Sequence, residues 1–269
     1  MRTGQLIEYL DSRFVPSCQE DYDNAGFLLG DPERELNGVL LSVDVTPAVV
    51  EEAIEKGLNL IVSHHPLIFS GLKQITPSNE ISRMVMRLLE SGIGVYAAHT
   101  NLDNLKWGVN GILAEQLGLA ECHILRPQDN TVSTIGAGMI GQLPSPTPAD
   151  RFLSDVKRIL KLPVIRLSGN FRPAALSDTI ISKVAICGGS GSFLIDDAKR
   201  CQADIFLTGD LKYHDFQKAE STSNFLIADI GHFESEQFTK ELFYRVISEK
   251  FSTFACLKSE KDSGYIIYI

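Results

Sequence analysis

Leu40 and Ile61 stand 21 positions apart in two short apolar runs, and Ala185 and Phe206 repeat that spacing 145 residues further along the chain. The runs Gly38-Val39-Leu40-Leu41-Ser42-Val43 and Leu58-Asn59-Leu60-Ile61-Val62 have the length and bulk of buried strands. Between them Thr46-Pro47 caps a helix whose Val49, Val50, Ala53 and Ile54 form an apolar stripe, closed by Gly57. The second copy has Val184-Ala185-Ile186-Cys187 as strand, a Gly-rich turn, a helix through Phe193 to Cys201, and Asp204-Ile205-Phe206-Leu207-Thr208 as strand. On the same offset Ser63-His64-His65 lies over Thr208-Gly209-Asp210, and Val95-Tyr96-Ala97-Ala98-His99 has a looser counterpart in Phe225-Leu226-Ile227-Ala228-Asp229. The pattern reads as an internal duplication. With 269 residues, 44% of them hydrophobic, the chain has apolar material for two cores. The expectation is an α/β fold of two similar lobes, residues 1–126 and 127–269, jointed around Arg126 to Asn130.

The remaining elements follow the same alternation. A helix is predicted from Thr3 to Phe14, and another near Asn79 to Ser91 sets Ile81, Met84, Val85, Leu88 and Leu89 on one core-facing stripe. The strand Ile93-Gly94-Val95-Tyr96-Ala97-Ala98 runs into His99-Thr100-Asn101-Leu102-Asp103, and a helix covers Val109 to Leu117. Pro144, Pro146 and Pro148 suggest a loop linking the lobes ahead of a helix from Ala149 to Leu160, which Pro163 cannot extend. A formal charge of −9 and a pI near 5.2 argue against a nucleic-acid partner, which needs clustered Lys and Arg, while leaving room for a small phosphorylated ligand beside bound cations. Cys18, Cys122, Cys187, Cys201 and Cys256 are odd in number and never in C-x-x-C spacing, so neither a disulfide framework nor a zinc ribbon is expected. The polar N-terminus lacks a secretory signal and no run reaches the ~20 apolar residues of a membrane span, so the expectation is a cytoplasmic protein without membrane contact.

Chemistry gathers where strands run out. His64 and His65 follow the second apolar run, at the strand end where open α/β sheets keep their ligands. On a continuing strand the two rings would point to opposite faces, but Pro66 interrupts regular pairing, so both can turn towards one pocket. Asp103 follows a third strand, and Ile227-Ala228-Asp229-Ile230-Gly231-His232-Phe233-Glu234-Ser235-Glu236 passes from a strand through a turn into the long helix of Leu242, Val246 and Ile247. His232 and Glu236, four apart, share a helix face; Glu234 points elsewhere. His64, His65, Asp103, His232 and Glu236 exceed what one tetrahedral zinc requires, but suit two ions about 3.5–4 Å apart, bridged by Asp103 or Glu236, with positions left for water. Mixed imidazole and carboxylate ligation fits Zn²⁺, Fe²⁺, Mn²⁺ or Ni²⁺. The bland alternative for each short motif is a solvated loop pair or an ordinary exposed His-Glu pair.

Together Ser63-His64-His65-Pro66, His99-Thr100-Asn101-Leu102-Asp103, Thr208-Gly209-Asp210-Leu211-Lys212-Tyr213-His214-Asp215 and Gly231-His232-Phe233-Glu234-Ser235-Glu236 resemble the Nif-three-like dinuclear-metal family, many of whose members are named GTP cyclohydrolase I type 2 homologues. Asp23-Asn24-Ala25-Gly26-Phe27 and Ser42-Val43-Asp44-Val45-Thr46 belong to the same resemblance, which spans nearly the whole chain. It implies the same five metal-ligand positions, two related α/β lobes with the metal site between them, and a toroidal homohexamer. Longer family members insert a small domain between the lobes, for which too few residues lie between Arg126 and Val184.

The candidate catalytic residues are His99 and His214. His99 is read as an orienting partner, a proton carrier or a packed strand-end residue, and His214 as a group at the cavity mouth or a surface residue. His123 is read as structural. Gly188-Gly189-Ser190-Gly191-Ser192 lacks the ending of a P-loop and reads as a tight turn, with a phosphate cradle as the alternative. Asn24, Asp44 and Asp210 touch a ligand or brace loops. Two functions compete: a metal-dependent hydrolase of a nucleotide or another phosphorylated small molecule, and a non-catalytic metal-binding or partner-binding ring. No Ser-His-Asp order or activated cysteine supports a metal-free enzyme.

Overall fold

In the computed structural model the described residues are 1–129, 132–169, 175–221, 225–252 and 254–269. The element order is α1 (Thr3–Arg13), β1 (Gly26–Leu29), β2 (Gly38–Ser42), α2 (Pro47–Glu55), β3 (Leu60–Ser63), α3 (Glu80–Ser91), β4 (Gly94–Ala97), α4 (Thr100–Asp103), α5 (Val109–Gln116), β5 (Ala120–Asp129), β6 (Val132–Pro148), α6 (Ala149–Ile159), β7 (Arg166–Leu167), β8 (Ile180–Ser190), α7 (Ile195–Arg200), β9 (Ile205–Gly209), α8 (Tyr213–Gln217), β10 (Leu226–Asp229), α9 (His232–Glu236), α10 (Thr239–Lys250) and β11 (Ala255–Lys258). No described helix is long and apolar enough to cross a membrane. Two compact units result: Met1–Leu102 with Thr239–Ser263, and Asp103–Phe238 with Gly264–Ile269.

The first unit carries a five-stranded sheet in the order β1-β4-β3-β2-β11. β11, β2, β3 and β4 run parallel and β1 pairs antiparallel with β4. β2, β3 and β4 are buried at every residue, which suits parallel strands covered on both faces. Two helices on this sheet start as their sequences direct: the Thr46 hydroxyl accepts from the Val49 N–H ahead of α2, and the Asn79 side chain accepts from the Ser82 N–H ahead of α3. Val49, Val50 and Ala53 of α2 and Met84, Val85 and Leu88 of α3 then bury with Leu40, Ile61 and Val95 in one core.

The second unit carries a six-stranded sheet in the order β5-β6-β8-β9-β10-β7. β8, β9 and β10 are parallel; β7 pairs antiparallel with β10, and β6 with β8. The observed pairs Leu40 with Ile61 and Ala185 with Phe206 fall on the spacing seen in the sequence. Each sheet therefore has three parallel strands in chain order, the third flanked by an antiparallel strand, as a duplicated chain would show. The third strands align differently from the sequence reading. Val95 pairs with Ile61 and Ile227 with Phe206, so Val95 is matched by Ile227 rather than Phe225.

Four further expectations differ from what is observed. The expected joint at Arg126 is continuous strand, with Arg126 opposite Ala137 in the β5-β6 pair; Asn130 lies outside the described residues. Pro144, Pro146 and Pro148 sit in β6 rather than in a linking loop: Pro144 and Pro146 fall in the register shift between Gln142 and Thr147, which relieves them of ladder donation, and Pro148 is the last residue of the strand, opposite Ile180. The helix that begins at His232 does not run on through Leu242: α9 stops at Glu236 and α10 starts at Thr239. The observed units also differ from the expected division at residue 126, since β11 adds to β2 in the first sheet, and α10 leads into it.

Candidate metal centre

In the first unit, β3 ends at Ser63, and the strand alternation that would separate the next two rings ends with it. The His64 and His65 N–H groups both donate to the Val43 carbonyl, at 3.1 and 2.9 Å, and the Ser63 hydroxyl donates to the His65 carbonyl at 2.8 Å. The two rings are thereby set side by side, centroids 4.8 Å apart. His99, just past β4, stands 5.4 Å from His64 and 5.6 Å from His65 by ring centroid. One ring nitrogen from each lies within 4.8 Å of the others, a grouping able to hold a metal ion.

Each of these imidazoles is held at Nδ1 by an oxygen. His64 Nδ1 meets the Ala98 carbonyl at 2.8 Å, His65 Nδ1 meets Asp44 Oδ1 at 2.9 Å, and His99 Nδ1 meets Asp23 Oδ1 at 2.7 Å. A carbonyl or ionised carboxylate only accepts, so Nδ1 carries the hydrogen and Nε2 is the basic nitrogen of the neutral ring. This is how metal-ligating histidines are oriented. Burial alone would raise the Asp23 carboxyl, but hydrogen bonds from His99 and Thr100 outweigh it and hold the group down to about 2. Beyond His99 lies an aromatic pair: the Phe69 ring is 6.2 Å from His99 and the Tyr22 ring 6.4 Å from Phe69, both exposed.

The second unit assembles a different set. His232 opens α9 and Glu236 closes it, with His232 Nε2 and Glu236 Oε2 3.2 Å apart. His232 Nδ1 is held by Asp210 Oδ2 at 2.7 Å, just past β9, where Asp210 adopts the left-handed φ of 56°. Carboxylate oxygens of Asp103 and Glu236 lie within 4.8 Å of each other. Asn110 ties the framework together: its carbonyl accepts from the Gly188 N–H and its amide donates to the Asp103 carbonyl. The Ser235 hydroxyl accepts from the Gly189 N–H at 3.0 Å and donates to the His232 carbonyl. Gly189 has φ 60°, and a Cβ there would stand 2.3 Å from Glu236 Oε1 and 3.3 Å from His232 Nε2. The Gly-rich turn thus makes room for the His232-Glu236 pair, and α7 after it has only six residues, a poor phosphate cradle. The buried Cys187 thiol is pushed well above its ordinary range by burial and by the Asp103 and Glu236 carboxylates, the opposite of activation.

His214 sits exposed on α8 against Tyr213, and His123 is exposed on β5; among the described residues neither joins a metal-competent group. Asn24 braces a loop, donating to the Ile68 carbonyl at 2.6 Å. The sequence offered no cue that Asp23 holds His99 across 76 positions, or that Asp44 and Asp210 hold His65 and His232. Only their place in the motifs of the family resemblance marked them.

Imidazoles and carboxylates with fixed Nδ1 groups are the donor set that borderline divalent cations take. The family model Duf34/NIF3 (NGG1p interacting factor 3) matches residues 1–263, which include every residue of both sets. The chain belongs to this family. A GTP cyclohydrolase 1 type 2 homolog of Clostridium perfringens is 33% identical over 88% of this chain and 87% of its own length. The homolog of Lactococcus lactis is 32% identical over 98% of this chain and 93% of its own length. A crystal structure of a Staphylococcus aureus hypothetical protein matches at a TM-score of 0.89 and 30% identity, covering 100% of this chain and 99% of that one. A Bacillus cereus protein related to NIF3 has the same fold, with a TM-score of 0.88 at 24% identity over 100% of this chain and 99% of that one.

Proposed function

We propose that this chain is a metal-dependent hydrolase of a nucleotide-like or phosphorylated small molecule, and that His64, His65, Asp103, His232 and Glu236 hold two divalent cations. One observation supports this most: His64, His65 and His232 each have Nδ1 fixed by an oxygen, which leaves Nε2 as the donor atom, and Glu236 has a glycine opposite it where any side chain would intrude. Bound cations would supply Lewis acidity, lowering the pKa of water towards neutrality and screening developing negative charge.

The chain's own groups carry the rest. His99 accepts a proton at Nε2 from the attacking water and returns it to the leaving atom, with its ring held by the buried Asp23 carboxylate as imidazolium charge develops. Phe69 and Tyr22 offer exposed aromatic faces beside His99, suited to the flat ring of a nucleobase. The relatives are named for a GTP cyclohydrolase. With a purine nucleotide, attack would fall on the imidazole carbon of the base and open that ring. Six copies of the chain would assemble, and native mass spectrometry should show a homohexamer.

A hydrolysis screen over nucleotides and phosphorylated metabolites, on protein reconstituted with zinc, iron, manganese or nickel, tests the reading. Turnover should depend on metal, vanish in Glu236→Ala and persist in the surface variant Glu51→Gln. Tight metal binding with no turnover of any tested compound would overturn the hydrolase reading in favour of a non-catalytic metal-binding scaffold.

A further inference from the structure

We infer that Asp262, near the end of the chain, is a positioning residue for the His65 imidazole, acting through the loop that follows β2. The inference rests on the reading of His65 as a metal ligand. That loop, Val43-Asp44, supports His65 twice: the Val43 carbonyl accepts from its backbone N–H, and the Asp44 carboxylate holds its Nδ1. The loop is itself held from 218 and 219 positions away. Asp262 Oδ2 accepts from the Val43 N–H at 2.7 Å and Asp262 Oδ1 from the Asp44 N–H at 3.3 Å.

The Asp262 side chain is 0% exposed and also pairs with Lys240 Nζ at 3.0 Å. Its segment is fastened further back, where the buried Glu52 carboxylate accepts from the Ser259 hydroxyl and from the Glu260 and Lys261 N–H groups, and the Ser259 N–H donates to the Leu41 carbonyl. A buried carboxylate with three donors has little freedom to adjust. Replacing one oxygen by an amide NH₂ sets donor against donor, and Val43, Asp44 or Lys240 must then move or lose its partner. Movement at Asp44 is carried directly to the His65 ring, and loss of such an orienting partner typically weakens metal binding about 10–100-fold.

The test measures zinc affinity by competition with a chromogenic chelator at neutral pH, alongside the Tm of the metal-free protein. The variants are His65→Ala, Asp44→Asn, Asp262→Asn, the Asp44→Asn/Asp262→Asn double, Lys240→Met, and Leu88→Ala as a core-destabilised control. Asp262→Asn should weaken zinc binding about tenfold or more, with the double variant no worse than its weaker single, whereas Leu88→Ala should lower Tm and leave affinity unchanged. Wild-type affinity in Asp262→Asn, multiplying effects in the double, or an equal loss in Leu88→Ala would overturn the inference. If Asp262→Asn does not fold, Lys240→Met carries the test: a threefold or greater weakening supports it and wild-type affinity overturns it. Failure of wild type to bind zinc, or of His65→Ala to lose it, would instead bring down the ligand reading and this inference with it.

Discussion

The two units build the same trio of parallel strands and finish it with opposite chemistry. Counting from the paired residues Leu40 with Ile61 and Ala185 with Phe206, Asp44 corresponds to Gly189 and His65 to Asp210. In the first unit the outer position holds a carboxylate that orients an imidazole at the inner one. In the second, the inner position is the orienting carboxylate, its imidazole comes from α9, and the outer position is a glycine, which leaves room for Glu236. A shared strand-end geometry thus fixes where functional groups stand, while the residue at each place decides whether it offers a donor atom, orients a ring or yields space. One unit ends rich in imidazole and the other in carboxylate.

That contrast is most exposed at Glu236. Glu236→Ala should weaken metal binding beyond the about 100-fold ceiling of an orienting partner, measured by chelator competition; a smaller loss would mean that the carboxylate-rich end is dispensable. Gly189→Ala should cost about 1–2 kcal/mol for its left-handed backbone, seen in urea unfolding, and should also impair metal binding by crowding Glu236. Unchanged affinity there would remove the reason for a glycine at the position that corresponds to Asp44. The exchange of orienting roles predicts that Asp44→Asn and Asp210→Asn each lower affinity about 10–100-fold. Asp23→Asn, by contrast, should lower kcat and spare the metal content.

The smallest effect lies away from both clusters. Burial would raise the Glu52 carboxyl, but hydrogen bonds from Ser259, Glu260, Lys56 and Lys261 prevail and hold it below its ordinary 4.5. A depressed carboxyl contributes stability above its unfolded pKa and loses it as pH falls through the folded value. Thermal melts of the metal-free protein should therefore fall below pH 4.5, and Glu52→Gln should flatten that fall. A pH dependence unchanged in Glu52→Gln would contradict the assignment.

Much of this was legible in the residues, for identifiable reasons. Buried parallel strands need unbroken apolar runs, so β2, β3, β8 and β9 could be placed, and the residues that share the 21-position spacing turn out to be ladder partners. The His64-His65 pair and the i, i+4 relation of His232 and Glu236 are local and equally readable. What was hidden is non-local. Asp23, Asp44 and Asp210 act on rings 76, 21 and 22 positions away, and no periodicity marks such a contact. Pro144 and Pro146 argue for a loop unless the shifted register of β6 is known. The return of β11 to the first sheet depends on pairing between Lys258 and Leu41, far beyond any sequence window.

Under the proposed function, imidazoles and carboxylates from distant stretches hold a pair of cations. Elemental analysis by mass spectrometry of metal-reconstituted wild type beside His65→Ala and Glu236→Ala tests it most directly. Two equivalents of divalent metal per chain, falling in both variants, is the predicted result. Wild type that retains no metal after reconstitution, or either variant retaining the full complement, would contradict it.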